Sequence, residues 1–230
     1  MLILSIDTST RGCSVSLVGD TGLISSYELF TDRSSSSMLT TLMQNCVEHA
    51  GFTLSELDAI AVAMGPGSYT GLRVGVSTAK GLCYALDKPL LAINTLEAMS
   101  LQLSRFYQNH LLCPMIDARR MEVYAAVFDD KNQTVLATQA VILSENSFEE
   151  LLLNNKVVFF GDGSAKFKSL VGDNPNAIFP NQEIYPSAKT VGLMAVEAFI
   201  AGKFEDVASF EPYYLKDFMS PAPKKSKTPA

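Results

Sequence analysis

The chain has 230 residues, 47% hydrophobic and 18% charged, with a formal net charge of -6, enough for one large domain or two lobes of about 100 residues each. The acidic balance excludes autonomous nucleic-acid binding through a clustered basic face, so any role with RNA is expected to be indirect. Cys13, Cys46, Cys83 and Cys113 form no C-x-x-C pair, which excludes a zinc knuckle or redox motif and reads as buried thiols in a reducing cytoplasm. The apolar run at residues 2–6 stops at Asp7 without a basic flank, and no stretch approaches the ~20 apolar residues of a membrane span, so neither a signal peptide nor membrane association is expected.

The chain opens as an antiparallel meander: strands at 2–7, 12–18 and 23–30, with a turn at Gly19-Asp20-Thr21-Gly22. A helix follows over 34–51, with Ser34 to Ser37 as a serine-capped start. Met38, Leu39, Leu42, Met43, Cys46, Val47 and Ala50 form its apolar stripe, and Gly51 stops it. Its opposite face, from Thr40 to His49, carries one formal charge, Glu48. A near-continuous apolar strand at 58–64 is broken by Gly65-Pro66-Gly67, and Ser68 caps a helix over 68–87. That helix contains Gly71, Gly75 and Gly81, each costing roughly 1 kcal/mol relative to alanine. Only Arg73 and Lys80 are charged before Asp87, and Tyr69, Leu72, Val76 and Tyr84 are among its apolar residues, so it reads as buried nearly all round. Gly71 and Gly75, one turn apart, would let another backbone approach closely.

A strand at 89–93 and a helix from Thr95 complete a first lobe, 1–105. The pattern then restarts over 106–218: the strand at 111–117 ends in Ile116-Asp117 as the first ends in Ile6-Asp7, an echo expected of a duplication. Strands follow at 122–128 and 135–143, helices at 147–154 and 164–171 bracket a strand at 157–160, and a last helix at 188–201 is able to pack back on the first lobe. Residues 219–230, with Lys224, Lys225 and Lys227 among prolines, read as a disordered tail.

The chemistry-bearing candidates sit at turns. Asp7-Thr8-Ser9 after the first strand is placed as in actin-like sugar kinases, with Asp7 near a metal and the hydroxyls near a phosphate. The position after the aspartate, where a phosphate would favour glycine, is Thr8. The second turn, Asp117-Ala118-Arg119-Arg120, also lacks glycine, and its arginines read as rim salt-bridge formers or as phosphate clamps. Gly161-Asp162-Gly163 is similar to the second nucleotide-holding glycine turn of actin-like folds, or is a tight turn before a helix. The glycines from Gly65 are spaced one residue too long for G-x-G-x-x-G, and no Lys-Ser/Thr follows them, which rules against dinucleotide and P-loop readings. His49 and His110 are the only histidines, so H-E-x-x-H metal chemistry is excluded; without G-x-S-x-G a hydrolytic triad has no support.

Residues 4–9 (Leu-Ser-Ile-Asp-Thr-Ser), 65–73 (Gly-Pro-Gly-Ser-Tyr-Thr-Gly-Leu-Arg) with Gly75 and Ala79-Lys80-Gly81, Thr95-Leu-Glu-Ala98, Asp117-Ala-Arg-Arg120 with Glu122-Val-Tyr124, Gly161-Asp-Gly163 and Pro212-Tyr-Tyr-Leu215 together resemble the TsaB (YeaZ) family. This family is the catalytically silent paralogue of the TsaD transferases in the actin-like superfamily. The resemblance implies two actin-like α/β lobes, each a mixed sheet flanked by helices. It also implies a non-catalytic subunit of the machinery that forms N6-threonylcarbamoyladenosine on tRNA. The implied partner is a TsaD-type transferase, with a TsaE-type ATPase reached through the complex, tRNA indirectly, and self-association when the chain is alone. The implied partner contacts lie on helices 34–51 and 68–87: Leu39, Leu42, Met43, Cys46, Tyr69, Leu72, Arg73, Val76 and Lys80, with Gly71 and Gly75 for close helix packing. Asp7, Thr8, Ser9, Asp117, Gly161 and Gly163 would line a vestigial nucleotide cleft with no metal and no cofactor, nucleotide being expected only at the complex interface. The sequence departs from the family's common His-Ser-Glu at Ser35-Ser36-Ser37. The enzymatic alternative is an actin-like ATP-dependent phosphotransferase using Asp7 and Asp117.

Overall fold

The computed structural model describes residues 1–30 and 36–216; the expected serine cap at Ser34 and Ser35 and the lysine-rich tail lie outside them. Ten strands form two five-stranded sheets. In the first, β1 (Leu2–Asp7), β2 (Cys13–Gly19), β3 (Gly22–Leu29), β4 (Ala59–Gly65) and β5 (Leu90–Asn94) take the order β3-β2-β1-β4-β5. The second, β6 (Leu111–Asp117), β7 (Glu122–Phe128), β8 (Thr134–Ile142), β9 (Val157–Phe160) and β10 (Ala177–Ile178), takes the order β10-β9-β6-β7-β8. In both, the first three strands run antiparallel as a meander, and the fourth and fifth join the first in parallel. The echo of Ile6-Asp7 in Ile116-Asp117 is therefore a repeat of topology, each aspartate ending the central strand of its own sheet.

The helices obey the same repeat. The pair α1 (Ser36–Glu48) and α4 (Glu149–Asn154) follows the meanders, while α2 (Tyr69–Leu86) and α5 (Ser164–Val171) follow the fourth strands. The fifth strands lead to α3 (Thr95–Leu101) and α6 (Ala188–Ile200). This last pair is exchanged: α3 sets Leu96 and Met99 among Leu112, Ile116, Ala126 and Phe128 of the second sheet, and α6 sets Val191 and Ala195 among Ile3, Ala59 and Leu91 of the first. Strand β1 is buried along its whole length, which explains its unbroken apolar run. Leu2, Leu4 and Ile6 face α1 and α2, and Ile3 faces α6. At Gly192 the approach of α6 to the sheet leaves no room for a side chain: a Cβ there would lie 2.6 Å from Val18 and 2.9 Å from the Ser5 hydroxyl. The helix start is pinned as well, the Ser16 hydroxyl donating to the Ala188 carbonyl (2.7 Å) and the Ala188 N–H to Ser14 Oγ (2.8 Å).

Beyond α6 the chain returns along the first lobe. Glu205 bridges to Leu90, the Tyr213 N–H donates to the Met64 carbonyl (2.8 Å), and Lys216 pairs with Glu122 of the second lobe. Among the described residues no helix is long and apolar enough to cross a membrane.

Candidate functional site

The turn after β1 folds against α2. The Ser9 N–H and hydroxyl both donate to Asp7 Oδ1 (2.8 and 2.6 Å), the Thr8 hydroxyl donates to the Gly71 carbonyl (2.7 Å), and the Ser9 carbonyl accepts from the Ser68 N–H (2.6 Å). These contacts account for the glycines. A Cβ at Gly67 would collide with the Ser9 carbonyl, one at Gly71 with the Thr8 carbonyl, and one at Gly75 with the Thr8 hydroxyl. The expectation of a close backbone approach is met within the chain itself. Gly71 and Gly75 pack on the β1–β2 turn of their own lobe, which corrects their assignment to another helix or a partner. Gly81 is different: a Cβ there would meet nothing within 4 Å.

Asp7 is 3% exposed, and its Oδ2 is buried without a hydrogen-bond partner. Burial pushes its carboxyl up from 3.8 to about 6, against the opposing pull of the two Ser9 hydrogen bonds. A carboxyl raised in the folded state favours folding most below its unfolded value, and that contribution is lost as pH rises from about 4 through 6. Asp7→Asn should therefore flatten the denaturant-measured stability profile between about pH 4 and 7 by up to about 3 kcal/mol relative to the parent chain. An identical slope in the two proteins would contradict a desolvated Asp7.

The second turn differs. Asp117 is exposed; its Oδ1 accepts from Lys166 Nζ (2.7 Å) and from the Arg119 N–H (2.6 Å), and its own N–H donates to Asp162 (2.9 Å). Burial raises the Asp162 carboxyl. Gly161 has φ of +94° and abuts the Met115 carbonyl; a Cβ at Gly163 would lie 3.0 Å from the Ile116 carbonyl carbon. Close packing at the end of β6 thus requires both glycines. The two histidines are in different lobes, His49 against the Tyr27 hydroxyl and His110 against the Gln108 carbonyl. No group of three or more His, Cys, Asp or Glu able to hold a metal occurs among the described residues. All four cysteines are buried and free, and burial raises every thiol, Cys13 to about 11 and Cys83 to about 12.

The helix pair requires a correction. Leu39, Leu42, Met43, Cys46, Leu72 and Val76, expected at a partner surface, are buried, packed under the first sheet or beside Gly65. The apolar stripe of each helix is its core face, because a two-layer lobe must cover its own sheet before it covers anything else. Tyr69, Arg73 and Lys80 hold the C-terminal segment: Arg73 Nε donates to the Tyr214 hydroxyl (3.1 Å), the Tyr69 and Tyr214 rings lie 5.0 Å apart, and Lys80 Nζ donates to the Phe210 carbonyl (2.8 Å). Nor is α2 buried all round. Thr70, Ser77, Gly81 and Tyr84 face solvent, Tyr84 at 88% exposure, and the neighbouring α1 leaves Met38, Thr41 and Gln44 exposed. The signal for this face was the placement of small and polar residues at helical spacing opposite the apolar stripe.

Two mixed sheets with exchanged terminal helices give the chain an actin-like fold, which matches the solved activator of the 2-hydroxyisocaproyl-CoA dehydratase of Clostridium difficile and component A of the (R)-2-hydroxyglutaryl-CoA dehydratase of Acidaminococcus fermentans at TM-score 0.50 with 9% and 8% identity. The model of the tRNA N6-adenosine threonylcarbamoyltransferase family matches residues 29–219. The chain is 29% identical to the tRNA threonylcarbamoyladenosine biosynthesis protein TsaB of Escherichia coli over 94% of its length and 95% of that protein's. It is 32% identical to TsaB of Bacillus subtilis over 75% and 76%. YeaZ from Pseudomonas aeruginosa superposes at TM-score 0.80 with 26% identity, covering 93% of this chain and 99% of that one. The chain belongs to the TsaB (YeaZ) family within the wider threonylcarbamoyltransferase family.

Proposed function

We propose that the chain is a non-catalytic, cytoplasmic subunit in the formation of N6-threonylcarbamoyladenosine on tRNA, and that it holds a TsaD-type transferase on the outer faces of α1 and α2. The observation that carries this reading is the pair of neighbouring helices whose solvent faces expose mostly small and neutral residues, with Ser77 and Gly81 beside a large exposed ring at Tyr84 and with Arg73 and Glu48 as their exposed charges. A face poor in charge with an aromatic anchor has the composition of an interface centre. The TsaB relatives named for threonylcarbamoyladenosine biosynthesis supply the pathway. A TsaE-type ATPase would be reached through the complex, and the same face would allow self-association when the chain is alone.

The non-catalytic assignment rests on the first turn. Its hydroxyls are engaged by Asp7 and the Gly71 carbonyl, and its backbone is seated on the α2 glycines, so the side chains that an actin-like phosphotransferase would turn toward a phosphate do not fit one here. Nucleotide is accordingly assigned to the complex interface and not to the cleft of the lone chain. Mixing the purified chain with the TsaD-type transferase of the same cell should give a single complex by size exclusion. Calorimetry with Mg-ATP on the isolated chain should show no binding. Separate elution would refute the partner, and micromolar ATP binding with turnover would establish the phosphotransferase reading instead.

A further inference from the structure

The tip of the β6–β7 hairpin carries two arginines in a backbone conformation that neither favours. Arg119 has φ of +70° and Arg120 φ of +49°, the left-handed region that costs a residue with a Cβ and that glycine or asparagine adopts readily. Both side chains are exposed, and neither guanidinium makes a hydrogen bond or ion pair with a described residue. Asp117 and Glu122, two residues away on either side, are taken by Lys166 and Lys216. The rim salt bridges that would explain the pair as structural are thus made by lysines. Two consecutive strained positions filled by unpaired arginines indicate a side-chain role outside the chain.

Location narrows that role. Glu122 anchors Lys216, at the end of the segment whose Tyr214 holds Arg73 and Tyr69 at the N-terminal end of α2. The hairpin that carries the arginines is thus tied, through Glu122 and Lys216, to the segment that packs on the N-terminal end of α2. Lys166 and Lys216 are matched by Asp117 and Glu122, so Arg119 and Arg120 add positive charge at the hairpin tip that no described carboxylate pairs. An acidic protein that concentrates unpaired arginine forks at one corner presents a phosphate-binding geometry there.

We propose that Arg119 and Arg120 contact the phosphodiester backbone of the RNA presented to the transferase, making the chain a direct if minor RNA contact in the complex. This rests on the placement, proposed above, of the chain beside a tRNA-modifying transferase. The test uses the reconstituted complex of chain and transferase, with fluorescence anisotropy of labelled tRNA across a salt series. Arg119→Asn with Arg120→Gly should weaken tRNA binding about tenfold and reduce the slope of log K against log salt by about 1 to 2. Co-elution with the transferase should persist, and the melting temperature of the isolated variant should rise, since the new residues suit the turn. Arg119→Gln with Arg120→Gln, which keeps side-chain length and backbone preference, should weaken tRNA binding equally without that rise. Unchanged affinity and salt slope in an intact complex would overturn this inference alone. Loss of the transferase would make the tip a protein contact, and Mg-ATP binding that the variants abolish would make it a nucleotide site; both also overturn it. A parent chain that never joins the transferase would overturn that placement and this inference with it.

Discussion

Gly71→Val is expected to destabilise the N-terminal lobe by about 3 kcal/mol or more, among the largest effects of any single substitution in this chain. The new Cβ would overlap the Thr8 carbonyl oxygen. That atom belongs to the backbone at the end of a wholly buried strand, so it cannot swing aside as the far end of a flexible side chain can. Moving it would also break the 2.7 Å hydrogen bond from the Thr8 hydroxyl to the Gly71 carbonyl and loosen the Asp7–Ser9 turn. A fall in melting temperature of about 10 °C, followed by circular dichroism, is the expected reading. Gly81→Ala on the same helix is the internal control. Its Cβ meets nothing, and the gain in helix propensity should stabilise by up to about 1 kcal/mol. Equal melting temperatures for the two variants would refute the packing account of Gly71.

Gly81→Arg combined with Tyr84→Ala is expected to leave the fold intact and weaken binding of the TsaD-type transferase about 30-fold or more. Both positions are exposed, so neither change opens a cavity or adds a clash within the lobe. At an interface, the same pair would replace an aromatic anchor by a methyl group and insert a long cation where a neighbouring surface must lie close to the helix. Leu42→Ala gives the opposite pattern. Its side chain is packed in the core with Met43 and Cys46, so truncation should cost about 2 to 5 kcal/mol of stability. Partner affinity measured on the folded fraction should then be preserved. Co-elution of the outer-face variant at parent affinity would remove α1 and α2 as the docking surface.

Much of this molecule is legible in its sequence because the relevant signals are local. The apolar run of β1, the alternation of the first meander, the Ser68 cap and the stripe of α1 each depend on residues within a few positions of one another, and each element lies where the pattern places it within about three residues. The repeat of Ile-Asp at the ends of β1 and β6 reads correctly for the same reason. The two-residue strand β10 carries too few residues for a period to show.

The candidate site was less legible. The apolar residues of α1 and α2 were identifiable as a face, yet whether that face meets the chain's own sheet or a partner depends on what the sheet already covers, which no window of sequence contains. The glycines of α2 announced a close approach without naming its other side; that side is Thr8, 63 residues away. Likewise the sequence leaves Arg119 and Arg120 as salt-bridge formers or phosphate clamps, because Lys166 and Lys216, which pair with Asp117 and Glu122, come from distant segments.

The sequence by itself determined the elements other than β10, their order and the repeat of the strand plan, which follow from short-range periodicity and turn chemistry, and its motifs resemble the family to which the chain belongs. Tertiary structure alone decided which groups are consumed within the molecule and which remain for others. Burial, hydrogen bonding and charge pairing are settled by segments far apart in the chain: the β1 turn uses the α2 glycines, the C-terminal segment takes Arg73 and Lys80, and the outer faces of α1 and α2 with the arginine tip are left facing outward.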